Sequence, residues 1–95
     1  MSINISEMHH LANMLGSANI PYEIEELWGG LHINYPNREN CVCSVICHDF
    51  SYGGHLGLLE IMGLTDDDDV QGYLTAQDVY NRIAMHYLSS EEISA

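Results

Sequence analysis

Residues 41 to 62 read CVCSVICHDFSYGGHLGLLEIM, the most apolar stretch of the chain and the one with its densest glycine cluster. Cys41, Cys43, Val45 and Cys47 alternate with Val42, Ser44 and Ile46, which is the period of a β-strand, and both sets carry apolar groups. A strand apolar on both faces belongs inside a sheet with at least partial cover on each side. Ser51 to Gly57, SYGGHLG, has the composition of a hairpin connection. Leu58 to Met62, bracketed by Gly57 and Gly63, reads as the next strand. The rest of the chain is expected to flank this unit.

Toward the N-terminus, Leu31, Ile33 and Tyr35 alternate with His32 and Asn34, and Tyr22 and Ile24 alternate with Glu23 and Glu25. Leu27 and Trp28 break the phase and Gly29-Gly30 supplies a tight turn, so the two runs form a hairpin. Pro36 to Asn40 connects this hairpin to the central strand. Trp28 is expected in the core, with an exposed binding anchor as the alternative. Earlier still, Met8, Leu11, Ala12 and Leu15 recur at helical spacing, with Ser6 as N-cap, Gly16 as C-cap and Pro21 beyond.

Toward the C-terminus, Thr75 and Asp78 form a pair like a capping box, with Leu74 and Val79 at the two staple positions. Val79, Tyr80, Ile83 and Tyr87 make the buried stripe of a second helix, and the final SSEEISA is expected to fray. The sum is one α+β domain over residues 1–95, in the order α-β-β-β-β-α. Its four-stranded, mainly antiparallel sheet carries both helices on one face. Val42 and Ile46 imply partial cover of the other face, for which a second copy in a homodimer is a candidate.

Ninety-five residues, 46% of them apolar, suit one modest core. No apolar run reaches the roughly 18 residues of a membrane helix. MSINISEMHHLANML lacks the basic start and cleavage motif of a secretory signal. Three cysteines within seven residues are no disulfide framework, so a reducing cytoplasm is the expected setting. Charge is the outlier. Fourteen acids face only Arg38 and Arg82, with no lysine, for a net charge of −12. Such a surface repels nucleic acid and anionic membranes and attracts basic proteins; the plain alternative is that it serves solubility.

Cys41 and Cys43, about 7 Å apart on one strand face, offer a metal two ligands at most, and Cys47 lies too far along to join them. Adjacent His9 and His10 diverge by about 100° on a helix and chelate poorly. No metal site and no cofactor is therefore expected. No catalytic residue is expected either, since no motif joins a cysteine to His48 or His55 as nucleophile and base. The Gly53-Gly54 loop lacks the ending of a phosphate-binding loop. Asp67 to Asp78 resembles a calcium-binding EF-hand loop, with Asp67, Asp69 and Gln71 at ligand positions, Gly72 at the turn, Leu74 at the apolar position and Asp78 last. It departs from the pattern in its final Asp, in Gln at the fifth position and at Val70. The acidic tetrad Asp66, Asp67, Asp68 and Asp69 is expected on a solvated loop. Together with Glu23, Glu25 and Glu26 on the first strand, and with Glu91-Glu92, it could imitate backbone phosphates. These seven strand and loop acids are the candidate partner-binding residues.

At SYGGHLGLLEIMG (51–63) and GYLTAQDVYNRI (72–83) the chain resembles small accessory proteins of phages and prophages of Firmicutes. The resemblance implies a protein acting in the host-cell cytoplasm against host defence. In that class, an acidic DNA mimic that binds a basic CRISPR nuclease is one type, and a sponge for a nucleotide second messenger is another. It implies no catalytic residue. The expectation is a stoichiometric inhibitor rather than an enzyme. The sponge and a calcium-binding module are the alternatives, and a virion assembly protein is a fourth.

Overall fold

The computed structural model describes residues 4–48, 50–65 and 70–94. The element order is α1 (Ser6–Ser17), β1 (Glu23–Leu27), β2 (Gly30–Tyr35), β3 (Cys43–Cys47), a 3₁₀ turn (Gly54–Leu56), β4 (Leu59–Met62), β5 (Val70–Leu74) and α2 (Ala76–Ser94). The strands form one antiparallel meander in the order β1-β2-β3-β4-β5. Among the described residues the sheet therefore has five strands, not four. The extra one is β5 (Val70–Leu74), in the stretch compared above with an EF-hand loop. Four adjacent aspartates hid it, since their repulsion says "solvated loop" while Val70 to Leu74 is free to pair with the outer edge of β4.

Alternation in the three central strands sorts their side chains. Ile33 and Tyr35, then Cys43, Val45 and Cys47, then Leu59 and Ile61 are buried on one face. They join Met8, Leu11 and Leu15 of α1 and Val79 and Ile83 of α2 in a single core. Burying these side chains contributes about 1.5–3 kcal/mol each. The helix stripes thus fall where the 3.6-residue period puts them.

The helix ends differ from expectation in instructive ways. Ser6 is the first helical residue, not the cap; its N–H donates to Asn4 Oδ1 at 3.0 Å. Gly16 lies inside α1. The helix closes in a Schellman motif, with Asn19 left-handed at φ 58°, its N–H on Gly16 O, and Ile20 N–H on Leu15 O at 2.9 Å. The apolar contact this motif favours is Ile20 with Leu15, both buried. Asn replaces Gly there because it tolerates a positive φ. At the start of α2 the capping box stands as read: Thr75 N–H donates to Asp78 Oδ2 at 3.1 Å and Asp78 N–H to Thr75 Oγ1 at 3.2 Å. The Thr75 backbone bond holds the Asp78 carboxyl below its ordinary pKa. Glu7 of α1 adds a further cap, accepting the Ala76 N–H at 2.9 Å. Residues 89–94, expected to fray, continue α2.

The three thiols are free. Cys43 and Cys47 are buried, and burial pushes the Cys43 thiol up to about 12. They pack as small hydrophobes. Ellman's reagent is therefore expected to titrate one thiol rapidly in the native protein, the exposed Cys41, and all three only after denaturation. Three fast thiols in the native state would mean that β3 is not in the core.

Candidate functional site

The acids singled out on β1 divide between the two faces of the sheet. Residues alternate across the strand, so Glu23 and Glu25 share one face with His32 and Asn34 of β2, while Glu26 points to the other. β1 is also an edge strand, where charged side chains discourage edge-to-edge aggregation. Glu23 accepts the Arg38 backbone N–H at 3.2 Å. Glu25 places Oε1 3.0 Å from His32 Nδ1 and Oε2 3.1 Å from Arg38 Nη2. Glu25 is thereby ion-paired with Arg38, while Glu23 and Glu26 are exposed to solvent. Asp66 to Asp69 lie outside the described residues, as do the side chains of Glu91 and Glu92.

The Glu25 contact continues across the sheet. His32 Nε2 lies 2.6 Å from Ser44 Oγ, so Glu25, His32 and Ser44 form a relay in the order carboxylate, imidazole, hydroxyl. With Nδ1 donating to Glu25, Nε2 accepts the Ser44 hydroxyl proton, the tautomer of a serine nucleophile and its base. Acyl transfer also needs N–H donors for the oxyanion. Ser44 sits on the middle strand, paired with Asn34 on one side and Met62 on the other, so its backbone groups belong to the ladders. The relay fits a structural clasp that ties the edge strand to the centre of the sheet. Its exposed Arg38–Glu25 arm is worth about 0–1 kcal/mol.

The connection from β3 to β4 covers part of the face opposite the helices. Tyr52 N–H donates to Glu60 Oε1 at 2.8 Å, and Glu60, the cross-strand partner of Ile46, is buried. The loop also crosses to the far edge. β5 carries one extra residue opposite Glu60, and Tyr73, left-handed at φ 59°, turns its N–H out to Tyr52 O at 3.2 Å. The cover that Val42 and Ile46 call for thus comes in part from this chain's own loop. The two glycines in it serve packing. Gly54 N–H is bonded to Ser51 O, and a methyl on Gly54 would run into the His48 carbonyl. That N–H is not free to cradle an anion.

Beside this loop lies a cluster of rings that the sequence placed otherwise. Trp28, expected in the core, is 65% exposed, and Phe50 is 78% exposed. Trp28 meets the buried His48 ring at 5.1 Å and Phe50 at 6.2 Å, both edge to face. It also lines a groove of about 370 Å³ with Ile5, Glu26 and Leu31. The signal available in sequence was the turn itself. A two-residue Trp28-Gly29 loop between paired Leu27 and Gly30 leaves its first residue at the hairpin tip.

In the EF-hand-like stretch, Gln71, Gly72 and Leu74 are in β5, and the Asp78 carboxylate caps α2. Asp67 and Asp69 lie outside the described residues. No group of three metal-ligating side chains occurs among the described residues, and no helix among them is long and apolar enough to cross a membrane. No family model, curated protein or solved structure matches the chain.

Proposed function

We propose that this chain is a stoichiometric inhibitor that occupies a cationic, nucleic-acid-binding surface of a host-defence effector of the CRISPR-nuclease type. The observation that carries the reading is charge. The net charge is −12 against two arginines, and one of these, Arg38, is already held by Glu25. A cationic groove built for a polyanion offers such a molecule long-range attraction and fast association. The resemblance of residues 51–63 and 72–83 to phage and prophage accessory proteins supports the same reading. The nucleotide-sponge alternative draws less support, because a sponge must spend cations on phosphate and Arg38 is engaged elsewhere.

The test is titration of the protein against a panel of purified Firmicutes CRISPR nucleases, with and without guide RNA, at two salt concentrations. The expected result is binding that weakens at least about tenfold between roughly 50 and 200 mM salt. Binding should also be lost in the fourfold variant D66N/D67N/D68N/D69N. Affinity that ignores salt and survives the fourfold variant would sink the proposal.

A further inference from the structure

The hairpin tip carries a conformational oddity beside an exposed aromatic pair. Trp28 has φ 45° and Gly29 φ 78°, the two positive values of a type I′ turn. Asn-Gly is the sequence such a turn favours, and a bulky L-residue in its first position is strained. The tip therefore holds the chain's single tryptophan where asparagine would fold better, with most of its surface in water. Phe50 stands against it, also exposed. Exposed Trp and Phe side by side are the usual material of binding hot spots.

The groove beside Trp28 indicates what it grips. Ile5 and Leu31 supply apolar wall, Trp28 a π face and Glu26 an exposed carboxylate. An arginine side chain matches all three, with its methylene stem on the apolar wall, its guanidinium plane on the indole and its N–H groups toward Glu26. Lysine matches less well, because an ammonium neither stacks nor binds a carboxylate in a planar fork. We propose that Trp28, Glu26 and Phe50 form an anchor for an arginine side chain presented by a basic protein partner. This rests on the reading that the partner is cationic, and it names the contact that fixes the register of an otherwise long-range attraction.

Because Trp28 is the only tryptophan, its emission reports on this site alone. The probes are a ten-residue peptide of alternating Arg and Gly and its Lys-Gly counterpart, titrated at low salt by fluorescence and by calorimetry. Expected are a saturable change in Trp28 emission and binding of the Arg peptide about fivefold tighter than the Lys peptide. Trp28→Asn should erase the preference for arginine while keeping or raising the melting temperature, which separates loss of the anchor from loss of the fold. Glu26→Gln should weaken the Arg peptide about fivefold and leave melting unchanged.

If wild type and Trp28→Asn bind both peptides equally, and D66N/D67N/D68N/D69N binds neither, the anchor is overturned and the acidic-surface reading stands. Failure of both peptides to bind at low salt overturns both. An emission shift that grows with protein concentration in the absence of peptide would show a second copy on the patch, and overturns the anchor.

Discussion

Ile83→Asp is expected to leave a chain with no cooperative thermal transition. Ile83 is fully buried where α2 meets the sheet, in the same core as Leu59 and Ile61 of β4. The substitution forfeits about 1.5–3 kcal/mol of apolar burial. It also places a carboxylate among aliphatic groups, at a further cost of several kcal/mol even when the acid protonates. A domain of this size has a total stability of about 5–15 kcal/mol, so the sum removes most or all of it. Ile83→Val, at about 0.5–1.5 kcal/mol, should keep a sharp but lowered transition. Circular dichroism melts of the two variants are the measurement. A soluble Ile83→Asp protein that melts like wild type would place the α2 stripe on the wrong face.

The second large effect is expected from a single methyl group. At Gly30 an added Cβ would collide with the Cys47 carbonyl oxygen and lie 2.8 Å from the His48 Cα, both backbone atoms that cannot rotate away. The β2–β3 pair must separate at that end to admit it. Gly30→Ala should therefore cost about 2–3 kcal/mol and lower the melting temperature by roughly 10–20 °C. The same substitution at Gly16 is an internal control. That site lies inside α1 with open space around it, so alanine should stabilise by about 0.5–1 kcal/mol through helix propensity. Equal and small effects at both positions would show that the strands are not packed this closely at Gly30.

The contrast between those two glycines marks what could be read from the chain. Local periodicity sufficed for both helix faces, for the hairpin and for the central strand, because an element's buried side depends only on its own spacing. The capping box at Thr75 was legible for the same reason. β5 was not, since Val70 to Leu74 has no strong alternation of its own and becomes a strand by pairing with β4.

The site followed the same division. Pairing of Glu25 with His32 follows from a turn at Trp28-Gly29; the Gly29-Gly30 turn expected from composition would have set Glu25 opposite Asn34. Pairing of His32 with Ile46, which brings Ser44 within reach of the imidazole, depends on how the connection from Pro36 to Val42 closes, and no spacing rule supplies that. Trp28 was misplaced because its apolar surface argues for burial wherever tertiary structure is unknown. Glu23, Glu25 and Glu26 were grouped by their place on the first strand, yet the pleat sets Glu26 on the other face and the Arg38 guanidinium pairs with Glu25. Net charge is a property of the whole chain, whereas the usable potential depends on which carboxylates remain unclaimed.

The helical layer has a consequence for the order in which the molecule can be made. Its two members come from opposite sides of the meander in sequence, and the N-terminus of α2 is held by Glu7, sixty-nine residues earlier. On a ribosome the apolar side of the growing meander has only α1 to shield it until Val79 and Ile83 leave the exit tunnel. Acquisition of the native state thus waits for α2, and a nascent chain stalled before Ala76 would leave Val45, Leu59 and Ile61 with α1 as their one helical cover, open to chaperones.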